Sequence, residues 1–189
     1  MNFELTKEEL RSVYKEKRMT LSQDEVNFLS EKMLEQFILQ FNVIENQKVN
    51  LFLSIEKFNE VNTQIFINYF FDKKLRVFVP KIQNKKLKSV EIFPDSKFEI
   101  NNWGIKEPIG ELFQSIDFDY VLTPLLYCDG FGNRVGYGKG FYDAFFTDNF
   151  NIRKKIGLNF FKPEFIISNV SSSDVPLDAL ITPFETFCF

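Results

Sequence analysis

Five of the chain's eight glycines fall between Gly130 and Gly140, in the run Asp129-Gly-Phe-Gly-Asn-Arg134-Val-Gly136-Tyr137-Gly138-Lys139-Gly140-Phe141-Tyr142-Asp143. Residues without side chains let backbone approach a ligand. A loop that leaves a strand and opens a helix turns several N–H groups toward one point, which is how phosphates are commonly held. Arg134 and Lys139 add positive charge to the same segment. A plain reversal of the chain accounts for Asp129-Gly130 as a turn signal, but gives no reason for three alternating glycines and two cations. Neither G-x-G-x-x-G nor G-x-x-x-x-G-K-[ST] is present, so any phosphate site is of another kind. Asp143 has the chemistry to hold Mg²⁺ beside phosphate oxygens, and is equally at home as an acid in a first helical turn. Lys7 and Arg11 lie four residues apart, on one face of a helix; they could clamp a polyanion or belong to a solvated charged face.

The composition removes whole classes of chemistry. There is no histidine, which excludes imidazole catalysis, the usual serine and cysteine triads and His-ligated metals. Two cysteines, Cys128 and Cys188, form no disulfide framework and predict a reduced, cytoplasmic setting. No run approaches the roughly 18 apolar residues of a membrane span, and the N-terminus lacks the pattern of a signal peptide. A net charge of −3 gives no global field to attract nucleic acid. Phe is abundant, with 25 copies. Most lie in apolar strand-like or helix-like positions, which predicts core packing rather than a base-stacking surface.

These residues must be positioned by elements the pattern also predicts. Thr6 and Glu9 form a capping signature for a helix over 7–19, and Ser22 with Glu25 starts a second that reaches Phe41. The spacing predicts strands at 48–54, 75–80, 87–93, 119–126, 155–160 and 177–181, with helices at 63–71 and 141–146. Asn101 to Gly104 reads as turn material. With 189 residues and no linker or repeat, the expectation is one domain over 1–189, an α/β sandwich of three layers with a mainly parallel central sheet.

Several motifs in order resemble one family. They are Lys7-x-x-Leu10-Arg11, Arg18-x-x-Leu21-Ser22, Phe52-Leu53-Ser54 followed by Glu60-Val61-Asn62-Thr63, Trp103-Gly104-Ile105-x-Glu107-Pro108, the Arg134 to Asp143 loop, and Asp174-x-Pro176-x-Asp178-x-x-Ile181-Thr182. Together they are similar to 5-formyltetrahydrofolate cyclo-ligase, also called methenyltetrahydrofolate synthetase, over nearly the whole chain.

The resemblance implies a fold like that of sugar-phosphate isomerases and CoA-transferases, and an enzyme that uses ATP and Mg²⁺ to convert 5-formyltetrahydrofolate to 5,10-methenyltetrahydrofolate. It implies that Lys7 and Arg11 contact ATP phosphates, and that Arg134, Gly136, Tyr137, Gly138, Lys139, Gly140, Phe141 and Tyr142 wrap the triphosphate and face the formyl group, with Arg134 and Lys139 catalytic. Asp143 and Asp174 would hold Mg²⁺. Leu53 and Glu60 would contact the folate, together with Tyr137 to Phe141. Phe141 stands where the family commonly has Tyr, Ser173 where a His often precedes the aspartate, and two extra residues separate Ser54 from Glu60. The rivals are a sugar-phosphate isomerase of the same fold, which needs no ATP, and a nucleotide- or folate-binding regulatory protein. A monomer acting on a small molecule, without nucleic acid or membrane partners, is the expectation that follows.

Overall fold

The computed structural model describes residues 3–101, 105–113, 116–149 and 151–189. In chain order the elements are β1 (Glu4–Leu5), α1 (Lys7–Met19), α2 (Gln23–Gln40), β2 (Lys48–Leu51), α3 (Gln64–Asp72), β3 (Arg76–Gln83), β4 (Lys86–Ile92), β5 (Phe98–Ile100), β6 (Lys106–Pro108), β7 (Leu112–Phe113), β8 (Phe118–Pro124), β9 (Tyr127–Cys128), β10 (Arg134–Val135), α4 (Phe141–Asp148), β11 (Ile152–Leu158), β12 (Ile166–Ile167), β13 (Ala179–Ile181) and β14 (Thr186–Cys188). Both capping boxes are formed. The Thr6 and Ser22 hydroxyls accept from the N–H groups of Glu9 and Glu25, whose carboxylates bond back to the cap residues. Part of the expected 101–104 turn lies outside the described residues.

Eight strands form one sheet in the order β14-β13-β11-β8-β2-β3-β4-β7. The five strands from β13 to β3 are parallel, and β14, β4 and β7 join antiparallel at the flanks. A parallel strand with helices on both sides buries both its faces, so it reads as a continuous apolar run rather than an alternating one. In β3, Val77 and Val79 point to one side and Phe78 to the other. The first side packs on α2 through Val26, Met33 and Phe37, and on α3 through Phe66, Ile67 and Phe70. The second packs on α4 through Phe145 and Phe146. Helices therefore cover both faces, which gives the expected three layers. Among the described residues no helix is long and apolar enough to cross a membrane, and both cysteines are free thiols.

The expected core role of Phe holds in part: nine of the 25 are buried and seven more pack against the buried clusters, while Phe3, Phe28, Phe93, Phe131, Phe184 and Phe189 are exposed. Phe37 is fully buried, and its ring lies 5.1 to 6.2 Å from those of Phe41, Phe66, Phe70 and Tyr120, which ties α2 to α3 and β8. Aromatic pairs at such spacings add stabilisation beyond their buried area. Phe37→Ala should lower unfolding free energy in urea by about 3–5 kcal/mol, the usual consequence of an unfilled aromatic site. Phe28→Ala, on the exposed side of α2, should change it by less than about 0.5 kcal/mol.

Candidate active site

The order of strands fixes where a ligand can enter. From β2 the chain moves through β3 and β4 toward one edge; it then returns to place β8 on the other side of β2, and β11, β13 and β14 continue outward from there. Loops leaving adjacent strands in opposite directions open a crevice at their carboxyl ends, the usual binding position in such sheets. At this point β2 runs into Phe52-Leu53-Ser54, and β8 runs into the glycine-rich segment.

Across that end lies α1, which packs on no face of the large sheet. Its Leu10 and Tyr14, both fully buried, meet Leu126, Tyr127, Val135 and Ile167 in a small separate core. The Tyr14 ring sits 4.5 Å from that of Tyr127, and its hydroxyl donates to Glu164. At about 100° per residue, Lys7, Arg11 and Arg18 fall within about 40° of one another, beside the buried stripe. Docking the apolar face thus aims Arg11 and Arg18 at the loop after β8 and Lys7 at Asp174.

That loop has two halves with different duties. Asp129, fully buried, accepts from the N–H groups of Phe131, Asn133 and Ile167 and from the Asn133 amide. These bonds close the β9–β10 hairpin. Gly132 belongs to this half: its φ is +82°, and a Cβ there would meet the Leu177 carbonyl oxygen at 2.7 Å. So the turn reading is right for 129–133. The second half, from Arg134, faces α1. Arg11 Nε donates to the Gly136 carbonyl oxygen at 2.9 Å, and its guanidinium lies 3.5 Å from where a Cβ of Gly138 would stand. Gly140, with φ of +65°, caps the start of α4.

The side chains between these glycines point to two different places. Tyr137 reaches Glu60, to which its hydroxyl donates a short hydrogen bond; that hydroxyl in turn accepts from Arg18 Nη2 at 2.5 Å. Glu60 also accepts from the Ile55 N–H at 2.8 Å. The segment that carries it is folded by Ser54, whose hydroxyl contacts the Val61 carbonyl and Thr63, and by Asn59, which bonds back to the carbonyls of Arg18 and Leu21. The loop between Ser54 and Glu60 includes a short 3₁₀ turn at Glu56–Phe58. Burial pushes the Glu60 carboxyl above the usual carboxylate range, against the opposing effects of the Tyr137 and Ile55 hydrogen bonds and the Arg18 charge. Leu53 and Glu60 share a cleft of about 380 Å³ with Val26, Ile67, Asn62 and Lys106. Its lining is mainly amide, hydroxyl and charged groups, with Val26, Leu53 and Ile67 as the apolar members.

The other place is a cluster of charge. Arg134 is nearly buried, pairs with Asp143 at 2.7 Å and donates to the Val175 carbonyl, with its guanidinium 4.9 Å from the Phe146 ring centroid. Burial works to lower the Arg134 pKa, and Asp143 and Asp174 oppose it. Lys7 pairs with Asp174, which also accepts from the Ser171 N–H at 2.6 Å. Burial raises the Asp174 pKa, but Lys7, Ser171 and Arg134 outweigh it and hold the carboxyl below its ordinary value. No three His, Cys, Asp or Glu side chains converge among the described residues, so the protein alone makes no metal cage. Two carboxylates beside a phosphate loop do fit Mg²⁺, which takes one or two carboxylates and completes its shell with phosphate oxygens and water. The hydrogen bonds of Asp143 fall on Oδ1 and those of Asp174 on Oδ2, so each keeps a second oxygen for such an ion.

A sequence profile described as the 5-formyltetrahydrofolate cyclo-ligase family matches residues 4–183. The chain belongs to this family. A Schizosaccharomyces pombe protein named as a probable 5-formyltetrahydrofolate cyclo-ligase is 30% identical over 154 residues, which cover 72% of this chain and 75% of that one. A Caenorhabditis elegans protein of the same name is 26% identical over 97% of this chain and 95% of its own. The structure also resembles that of an Aquifex aeolicus 5,10-methenyltetrahydrofolate synthetase, with a TM-score of 0.81 and 26% identity over 97% of this chain and 93% of that one.

Most of the residues singled out by the sequence are joined in pairs around the glycine-rich loop, in two separate groups. Lys7 and Asp174 pair, Arg134 and Asp143 pair, Arg11 holds Gly136 and Gly138, and Tyr137 joins Glu60. Tyr142 turns inward on α4, and its buried hydroxyl has no partner among the described residues. Lys139 stands apart, exposed and without an ion-pair partner among those residues. Arg18 is the residue that site reasoning missed, although its register with Lys7 and Arg11 was available. Arg11→Ala should raise amide hydrogen exchange at 136–140 while leaving 129–135 protected by Asp129, because local opening follows the loss of the few bonds that close a segment. Equal exchange in the two halves would show that Arg11 does not hold the loop.

Proposed function

We propose that the protein converts 5-formyltetrahydrofolate to 5,10-methenyltetrahydrofolate with consumption of ATP and release of ADP and phosphate. The observation that carries this reading is the two-way attachment of the Arg134–Asp143 loop. One part of it touches the Glu60 cleft and another the Arg134, Asp143, Asp174 and Lys7 cluster. A formyl group over the cleft and a triphosphate over the cluster would meet along the loop.

The formyl oxygen of an N-formyl group is a weak nucleophile and a poor leaving group. Its attack on the γ-phosphorus forms a new P–O bond and breaks the bond to ADP. N10 then adds to the formyl carbon and gives up its proton. The C–O bond breaks as phosphate departs, and the five-membered ring is left closed. Positioning and charge neutralisation dominate such transfers, and no protein nucleophile is needed. The lack of histidine is no obstacle.

Each group then has a task. Lys7 and Arg11 bind the ATP phosphates, while the N–H groups of Gly136, Gly138 and Gly140 and the first turn of α4 face the transferring phosphoryl. Arg134 and Lys139 stabilise its developing charge. Leu53, Glu60 and the Tyr137–Phe141 stretch hold the folate, and Phe141 contributes its ring face without a hydroxyl. Mg²⁺, held by Asp143 and Asp174, supplies charge neutralisation at the phosphates when bound.

Purified protein with 5-formyltetrahydrofolate, ATP and Mg²⁺ should produce methenyl absorbance in the near ultraviolet and ADP in equal amounts. ATP binding without product would favour a regulatory protein, and no ATP binding an isomerase of similar fold. Lys139→Ala should reduce kcat about 10²–10³-fold, the usual cost of losing one charge-stabilising donor. Because Lys139 is exposed, the melting temperature should not move, and near-normal turnover would refute its role. Arg134→Ala and Asp143→Ala should also abolish most turnover. Each leaves a partner unpaired in a partly buried site and should lower the melting temperature as well.

A further inference from the structure

Arg18 is unusual for a charged residue in the last turn of a helix. It is only 4% exposed, its Nη2 is spent on the Tyr137 hydroxyl, and its Nε is buried without a hydrogen-bond partner among the described residues. A buried guanidinium is costly unless it is paired. The fold does not call for it: the corner between α1 and α2 is closed by the main-chain carbonyls of Arg18 and Leu21 bonding Asn59, which any residue at position 18 could supply. Its side chain points the other way, to the Tyr137–Glu60 pair.

The chemistry of that pair explains the cation. A phenol has one proton to give, and here it goes to Glu60, while the oxygen accepts from Arg18. The result is a cation, a hydroxyl and a carboxylate in line. An ionised carboxylate has no proton to donate and accepts strongly through both oxygens, each with a second lone pair for a ligand. A reduced pterin carries adjacent N–H donors on one ring edge, which such a carboxylate can take together. Other charged or titratable groups near Glu60 are Tyr137 from the loop and Tyr142 from α4, with Glu56 and Lys106 on the cleft wall. Arg18 is the cation whose charge opposes the neutralising effect of burial on Glu60.

We propose that Arg18 is a positioning residue for the folate subsite, which acts through the Tyr137 hydroxyl to hold Glu60 as an oriented carboxylate for the pterin N–H donors. The inference rests on the reading that Glu60 binds the folate, and the two can fail separately.

The test compares wild type, Arg18→Met, Arg18→Lys and Glu60→Gln across pH 6 to 9. Calorimetric binding of 5-formyltetrahydrofolate without ATP is followed alongside kcat and both KM values. Removing the cation raises the pH at which Glu60 ionises. Arg18→Met should therefore weaken folate binding and raise its KM several-fold at the low end of the range, where loss of the opposing charge leaves burial to favour the neutral carboxyl. The ratio to wild type should shrink as pH rises, with kcat at saturation and the KM for ATP little changed. Arg18→Lys should recover much of the loss. A pH-independent ratio, or unchanged folate binding in Arg18→Met while Glu60→Gln binds poorly, would overturn the role of Arg18 alone. Wild-type folate binding by Glu60→Gln would overturn the reading of Glu60 and the inference with it. If Arg18→Met does not fold, Tyr137→Phe breaks the same relay. It should raise the folate KM at every pH, and an unchanged KM would count against the relay.

Discussion

The docking of α1 through Leu10 and Tyr14 is the contact on which the site depends. The other helices pack on the faces of the sheet, chiefly by burial of apolar area. α1 instead lies across the strand ends on a small core built by β9, β10 and β12, and burying each of its two anchors contributes about 1.5–3 kcal/mol. From that placement follow Lys7 on Asp174, Arg11 under Gly136 and Gly138, and Arg18 against Tyr137. A helix displaced by one turn would move all three at once by about 5.4 Å.

The cations at the site are matched to acceptors within the chain. Arg134 and Lys7 each pair with a carboxylate, and Arg11 with a carbonyl. A buried ion pair adds little net stability once desolvation is counted. Such pairs hold the side chains in place, Lys7 against Asp174 and Arg134 against Asp143 and the Val175 carbonyl, while Lys139 is exposed.

Much of this was legible in the sequence where local chemistry decides structure. The capping boxes at Thr6 and Ser22 placed α1 and began α2 correctly, and the apolar runs marked β2, β3 and β8 to within a few residues. Pairings such as β1 with β12, β5 with β6 and β13 with β14 were not legible, because strands of two or three residues have no period to detect and exist only by virtue of their neighbours. The glycine loop was found as a whole, but its division was not. Asp129 looked like the first residue of a turn, and only the structure shows a buried acid collecting four donors. Arg18 sits in the string Lys15-Glu-Lys-Arg18, which has the composition of a solvated helix end, and burial of a single member of such a string depends on tertiary packing. Glu60 was reached through family resemblance, and its inward orientation comes from the Ser54 and Asn59 bonds.

The sheet also tapers. β3, β4, β8 and β11 run for seven or eight residues and β2 among them for four, while the outermost strands β14 and β7 have three and two. On the β7 side, among the described residues β4 pairs with β7 at Ser89 and Val90, and the start of β4 carries Lys86 and Lys88. Short margins and lysines both discourage a second chain from adding itself to a ladder. A sequence with 25 phenylalanines and a core of near-continuous apolar strands has every ingredient for cross-strand aggregation. The length of its outermost strands, as much as its charge, is what keeps those ingredients inside one molecule.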